Sequence, residues 1–413
     1  MKKNWDKQIA LFLSSQSLSL FGSSLVQYAI MWYITLNTKS GIMMGISILC
    51  GFLPTFVISP LAGVWADRYN RKILIILSDL FIAACTLLMA VLFFMGYNSI
   101  VLLFILSACR AMGTGIQTPT VNAFIPNLVP ADKLEKVNGI NSSIQALTML
   151  LSPLLSGALF YIATIEAIFF IDVITAAIAV LIMALFLKVP VHAKAQTSQT
   201  ISYFADLTTG INYIKKESIL GKLFTFYGVI YFLATPVCFL APLQVARSFG
   251  SEVWRLTGIE VAFSLGMIIG GIIITSGGGF KNRMHTVTLS SFIIGISTII
   301  LGNIPIVLPK YWLYTMLMAV TGMCMALYNI SVTTFLQEKI EVDFQGRVFG
   351  VLGMISSSAM PVGMLLFGPV ADIMRIEWLL IATGALIFLQ SLFMLGSKEL
   401  FREARLVSKG VEG

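Results

Sequence analysis

Residues 63–72 read GVWADRYNRK and join two long apolar runs, 43–66 and 73–95. Each run exceeds the roughly 20 mostly apolar residues that carry a helix across a bilayer. The segment between them is too short to do more than reverse the chain. Its charges are one acid, Asp67, among three bases, Arg68, Arg71 and Lys72. The acid can pair locally or face the end of a neighbouring helix, where the backbone dipole favours a charge of the right sign. Gly63, which carries no side chain, leaves room for two helix ends to approach closely.

The pattern around this turn repeats along the whole chain. Apolar segments fall at 9–36, 43–66, 73–95, 99–122, 137–162 and 166–188, and again at 219–246, 257–276, 286–305, 311–334, 346–371 and 376–397. A polar stretch, 189–216, divides the two sets of six. Composition agrees. Of 413 residues, 57% are apolar and only 11% are charged, and the mean hydropathy is +0.91. Soluble domains carry about 25% charged residues, so the chain lacks the polar surface to face water. The expectation is an all-α membrane protein of twelve transmembrane helices in two pseudo-symmetric six-helix bundles. Its parts are an N-terminal bundle over 1–188, a cytoplasmic central loop over 189–216, and a C-terminal bundle with a cytoplasmic tail over 217–413. A weak internal repeat supports related halves: Pro153 lies 14 residues after Gly139, and Pro361 lies 15 after Gly346.

The net charge of +8 does not imply nucleic acid, because the bases are sorted by side. Of the 26 bases in loops and termini, 21 fall on the side of the two termini and the central loop. Loops rich in Lys and Arg stay in the cytoplasm, so both termini are expected there, in a multi-pass protein of the plasma membrane. The start, MKKNWDKQIALFLSS, runs on to Leu36 without a small-residue cleavage pattern and reads as a retained first helix. The five cysteines stand singly in apolar stretches, with no disulfide framework or metal-ligand spacing. No Gly-x-x-x-x-Gly-Lys-[Ser/Thr] loop is present to hold ATP. His192 and His285 fall in loops, away from any triad. No cofactor, metal site or catalytic residue is expected, and a monomer is.

Ionisable side chains inside the apolar runs are the natural functional candidates, since each costs roughly 2.5–3.5 kcal/mol to insert. Arg110 is the deepest base. Asp79 lies about two turns into the third span, Asp172 about two turns into the sixth, and Glu260 one turn into the eighth. Asp372, at the end of the eleventh, reads equally as an interfacial charge. These four, Arg110, Asp172, Asp79 and Glu260, form the expected proton-coupling set. Arginine cannot deprotonate usefully but can bias a neighbouring acid or orient a substrate. Polar residues also recur at helical spacing: Gln16, Ser19, Ser23 and Gln27 in the first span, and Thr114 and Gln117 after Arg110 in the fourth. Tyr227 and Tyr231 occupy the seventh span, and Tyr328 and Asn329 the tenth. Any single hydroxyl could serve helix–helix hydrogen bonding. Together the stripes point to a shared cavity at mid-membrane.

The motif Gly63-x-x-x-Asp67-Arg68-x-x-Arg71-Lys72 between spans two and three resembles the signature of the major facilitator superfamily, and the resemblance covers essentially the whole chain. It implies that Asp67, with Gly63, Arg68, Arg71 and Lys72, forms a conformational latch acting through the eleventh helix. Arg110, followed by Gly113 and Gly115, resembles a second signature, found in proton-coupled exporters. A third, in span five, is degenerate here: Leu151-Ser152-Pro153-Leu-Leu-Ser-Gly157 keeps the proline and one glycine only. The segments FLPTFVISPLAGVWADR (52–68), FIPNLVPADKL (124–134) and FLQEKIEVDFQGRVFG (335–350) resemble the branch that contains macrolide-efflux proteins. The function implied is proton-coupled export of a hydrophobic or amphipathic small molecule by alternating access, with protons and membrane lipid as the other partners. Export of a metallophore or siderophore, or lysophospholipid flipping, are the alternatives.

Overall fold

A backbone in hydrocarbon has no water to bond to, so each apolar run must satisfy its own N–H and C=O groups, and the helix does this. The computed structural model describes residues 5–130, 133–187, 203–277, 283–397 and 399–402, and contains no strand among them. Its first six helices are α1 (Trp5–Thr38), α2 (Gly41–Arg68), α3 (Arg71–Phe94), α4 (Ile100–Leu128), α5 (Leu134–Ile162) and α6 (Ile165–Phe186). The remainder are α7 (Tyr203–Lys216), α8 (Ser218–Leu233), α9 (Thr235–Phe239), α10 (Ala241–Ser248), α11 (Val253–Gly277), α12 (Arg283–Val307), α13 (Tyr311–Lys339), α14 (Val342–Ile373) and α15 (Ile376–Gly396).

Eleven of these helices are long and apolar enough to cross a membrane. The expected seventh span, 219–246, is not one helix but three in succession, α8, α9 and α10. Pro236 and Pro242 sit in the first turns of α9 and α10. A proline there lacks an N–H that would have had no partner anyway, whereas mid-helix it would break a hydrogen bond and clash with the preceding turn. The second departure is α7. The stretch expected as a polar loop contains a helix over Tyr203–Lys216, whose Ile214 is buried and whose Tyr213 stacks on Phe344 of α14 at 4.6 Å. Just past α15, exposed Glu399 accepts a hydrogen bond from Lys222 of α8, which holds its carboxyl below the usual range.

The chain divides into two units, one of Met1–Asn37 with Ile46–Gln199 and one of Thr38–Gly45 with Thr200–Gly413. In the first, α3 packs along both α4 and α6. One end is filled by Phe12, Ile75, Phe124, Ile125 and Met183, with the Phe12 and Phe124 rings edge to face at 5.1 Å. Asn70 caps α3, accepting from the Lys72 backbone N–H at 3.0 Å.

The second unit is built on glycine seams. A Cβ added to Gly266 of α11 would lie 1.9 Å from the Ala319 carbonyl oxygen of α13, and one added to Gly322 of α13 would lie 2.1 Å from that of Phe263. The two helices therefore meet backbone to backbone, the means by which membrane helices gain packing where burial of apolar surface gives no drive. Gly295 of α12 and Gly384 of α15 make a second seam of the same kind. Outward positions such as Leu53, Val57, Leu77, Leu181, Ile272 and Phe393 are exposed. Within each unit, large apolar side chains exposed in this number suit a lipid-facing surface.

Candidate functional site

The polar groups expected along the first unit's spans converge in its interior. Gly22 makes this possible: a Cβ there would stand 2.1 Å from the Thr175 hydroxyl and 2.9 Å from an Asp172 carboxylate oxygen, so only glycine lets α1 lie this close to α6. On either side of it, Ser19 and Ser23 reach two different acids. The Ser19 hydroxyl donates to Asp79 of α3 at 2.8 Å, and that of Ser23 to Asp172 of α6 at 3.2 Å.

Arg110 of α4 pairs with Asp172, Nη1 to Oδ2 at 2.9 Å, with Arg110 only 10% exposed over its side chain and Asp172 fully buried. Thr86 lies between them, accepting from Arg110 and donating to the same Asp172 oxygen at 2.8 Å. A second Arg110 nitrogen points to the Ser23 carbonyl at 3.5 Å. The pair thus ties α1, α3, α4 and α6 together, and its hydrogen bonds offset a desolvation cost of several kcal/mol per ion.

Two turns along α3 from Thr86, Asp79 is 1% exposed. Gln117 of α4 donates its side-chain amide to Asp79 Oδ1 and lies 3.5 Å from the Gln16 side-chain oxygen. Gln16 in turn faces the Met183 sulfur at 3.3 Å. Among the described residues, Thr114 bonds only back to the Arg110 carbonyl of its own helix. Gln27 is exposed and makes no hydrogen bond among the described residues.

In the second unit, Tyr227 and Tyr231 of α8 both donate to the side-chain oxygen of Asn329 on α13. Their rings lie 4.6 Å apart, and Tyr328 stacks on Tyr227 at 6.0 Å. Tyr328 is wholly buried in that unit's apolar core, and its hydroxyl has no hydrogen-bond partner among the described residues. Glu260, on α11, is half-buried and forms no ion pair among the described residues. It belongs to the second unit, whereas Arg110 belongs to the first.

The turn at 63–72 packs against its neighbours within the first unit. Arg71 donates to the Ala66 carbonyl of α2 at 2.8 Å and to that of Ala123 of α4 at 2.7 Å. Lys72 reaches the last carbonyls of α6, at Leu187 (2.8 Å) and Ala184 (3.2 Å), the end where a cation is favoured. Arg68 is exposed. An added Cβ at Gly63 would meet nothing within 4 Å, so no close approach requires this glycine here. The Asp67 side chain lies outside the described residues.

Asp372 holds more than an interfacial position suggested. Its carboxylate accepts from the backbone N–H groups of Gly41 (2.7 Å) and Ile42 (2.9 Å), from the Ser40 hydroxyl (2.6 Å) and from Arg247 (2.8 Å). Arg247 also donates to the carbonyls of Ala371 and Lys39. Lys39 is held at φ 47°, a left-handed conformation costly for a residue with a Cβ. Beside this clamp is a cavity of about 560 Å³ whose walls include Gln244, Arg247, Asp372, Arg375 and Glu377. Nothing in the spacing of these residues announced the clamp, because its parts are hundreds of positions apart. The Ser40-Gly41 pair before a long apolar run was the one local sign that a helix start needed capping.

A helical membrane protein with a buried ion pair and converging polar stripes, and no grouping of His, Cys, Asp and Glu able to hold a metal among the described residues, has the features of a small-molecule transporter. The family model for the Major Facilitator Superfamily matches residues 12–364, and the chain belongs to that family. It is 30% identical to macrolide efflux protein A of Streptococcus pyogenes over 384 residues, 93% of this chain and 94% of the relative. It is 22% identical to the staphyloferrin A transporter of Staphylococcus aureus, covering 88% and 90% of the two chains. A solved POT family transporter superposes with a TM-score of 0.74 at 12% identity, over 95% of this chain and 96% of that one.

Proposed function

We propose that the protein is a proton-coupled secondary exporter of hydrophobic or amphipathic small molecules of the macrolide type. The observation that carries this reading is the Arg110–Asp172 pair with Asp79 beside it, buried in the first unit of a chain 30% identical to a macrolide efflux protein. Buried charges in a membrane interior are costly and mark substrate or ion pathways. No nucleotide loop stands in the sequence, so an ion gradient supplies the energy. Half-buried Tyr231 and Asn329 of the second unit suit an amphipathic ligand, since one offers an aromatic ring and the other a hydrogen bond. Transport by rocking of the 1–188 and 217–413 bundles about a mid-membrane site follows the general mode of such folds.

The chain acts as a monomer in the plasma membrane, with both termini and the 189–216 loop in the cytoplasm. The distribution of bases supports this orientation. A single cysteine at Ser198 then resists a membrane-impermeant reagent in intact cells, and strong labelling there contradicts the topology. The functional test is efflux of a substrate panel from expressing cells with and without a protonophore. Macrolide efflux that stops with the protonophore supports the proposal, and efflux indifferent to it refutes proton coupling. Similarity to the staphyloferrin A transporter supports a second reading, export of a metallophore, and a siderophore in the same panel separates the two.

A further inference from the structure

The two buried acids of the first unit have opposite surroundings. Asp172 has its charge answered on both oxygens, by Arg110 and Thr86 on Oδ2 and by Ser23 on Oδ1. Neutralising it would strand Arg110, which cannot release its own proton. Asp79 is held from one side only. Ser19 and Gln117 both donate to Oδ1, with Gln16 close by, and Oδ2 is buried with no hydrogen-bond partner among the described residues. It forms no ion pair among the described residues. A carboxylate with one oxygen bare in a dry site is costly, and a proton on that oxygen removes most of the cost.

The charged groups facing Asp79 can be named helix by helix. Asp172 comes from α6 and is matched by Arg110 from α4. The rest of the α4 contribution is the neutral Gln117, and α1 contributes the neutral Ser19 and Gln16. Hence no permanent cation among the described residues holds Asp79 in its ionised form. Gln117 is half-buried, in contrast to the sealed carboxyl behind it, and its amide spans Asp79 and Gln16.

We propose that Asp79 is the acid that carries the proton through the transport cycle, while Asp172 stays ionised as the fixed counter-charge of Arg110. This rests on the proton-coupled reading above and assigns its ion to one residue. With Ser19 and Gln117 holding Oδ1, Oδ2 takes the proton. When Gln117 swings aside, a hydroxyl or ammonium of the substrate donates to the same carboxyl, the O–H bond breaks, and the proton leaves to water on the side then open. On the opposite side the substrate departs and water returns a proton to Oδ2. Proton and substrate donor exclude each other on one carboxyl, which is the requirement for exchange. The ligand class is therefore an amphiphile bearing hydroxyl or amine donors.

The test compares purified wild type, Asp79→Asn, Asp172→Asn and Gln117→Leu. Infrared pH-difference spectra in detergent read protonated buried carboxyls directly and need no substrate. The protonated-carboxyl band that titrates in wild type is expected to vanish in Asp79→Asn and to persist in Asp172→Asn; the reverse pattern overturns the proposal. In proteoliposomes, a one-unit pH gradient drives roughly tenfold accumulation of radiolabelled erythromycin at one proton per molecule, since about 1.4 kcal/mol is a factor of ten. Asp79→Asn removes both the proton site and the carboxylate that accepts the substrate donor, so its exchange is expected to slow and to lose its pH dependence, and its accumulation ratio to fall about tenfold, to unity. Asp79→Glu restores part of the gradient, and Gln117→Leu shifts the pH profile of exchange without abolishing it. Gradient-driven accumulation that survives in Asp79→Asn overturns the assignment. So does a sodium gradient that drives accumulation at fixed pH and fails in Asp79→Asn, which makes the residue a sodium ligand. If wild type moves no erythromycin under any gradient, the macrolide reading fails, and the infrared comparison still decides which acid holds the proton.

Discussion

Removing one member of the Arg110–Asp172 pair is predicted to destabilise the protein far more than removing both. Arg110→Gln leaves a fully buried carboxylate with only Thr86 and Ser23 as donors. Asp172→Asn leaves a guanidinium 10% exposed over its side chain with a hydroxyl and a distant carbonyl as partners. Stranding a buried charge in this way costs about 3–5 kcal/mol. Independent losses would therefore total about 6–10 kcal/mol in the double variant. The double variant instead carries two neutral amides that can hydrogen-bond in the same space, and replacing a buried pair whole is often near neutral. Its expected loss is below that of either single variant, a coupling of at least about 3 kcal/mol. Reversible unfolding in mixed micelles of dodecyl maltoside and sodium dodecyl sulfate measures all four corners of the cycle. Losses that add to within about 0.5 kcal/mol would show that the two side chains do not act as a pair, and the electrostatic core described above would be wrong.

Three further outcomes follow from particular contacts. Gly266→Ala and Gly322→Ala place a Cβ against backbone oxygens across the α11–α13 seam and should each cost about 1–3 kcal/mol in thermal unfolding, whereas Gly353→Ala, whose added Cβ meets nothing within 4 Å, should cost little. Asp372→Ala removes the cap of α2 and should weaken it by about 1–2 kcal/mol, read as faster hydrogen exchange at Gly41, Ile42 and Met43 than in wild type; unchanged protection there contradicts the capping role. Asp67→Asn should slow the transport cycle more than it weakens substrate binding, and a collapse of affinity at unchanged rate refutes a latch at that position.

The sequence carries the one-dimensional part of this molecule plainly. Runs of apolar residues must become helices in lipid, so the spans and the motif between the second and third could be read directly. Within a span the reading weakens where proline enters. Pro153 of α5 and Pro361 of α14 sit inside unbroken helices, while Pro236 and Pro242 begin new ones. The residue type is the same, and its position within the helix is what differs. Helix α7 was hidden by its polar content, though Leu207, Ile211 and Ile214 recur at helical spacing.

Partnerships were the least legible. Depth along a span marked Arg110, Asp79 and Asp172 as exceptional, but both acids were equal candidates for the arginine. Rotation of α3 and α6 about their own axes decides between them, and it is set by packing features such as Gly22 that no spacing rule reveals. The same holds for the Asp372–Arg247 clamp, which joins α14, α10 and the first turn of α2.

The central claim is that a proton gradient, acting through the first unit's buried acids, drives export. It is tested most directly in inside-out membrane vesicles containing the protein, with an acid interior imposed by a pH jump and uptake of radiolabelled erythromycin followed over time. Uptake is expected to be concentrative, to collapse when nigericin dissipates the pH difference, and to be absent in Asp79→Asn vesicles. Uptake that proceeds uphill without a pH difference, or undiminished in Asp79→Asn, would contradict proton-driven export through these acids.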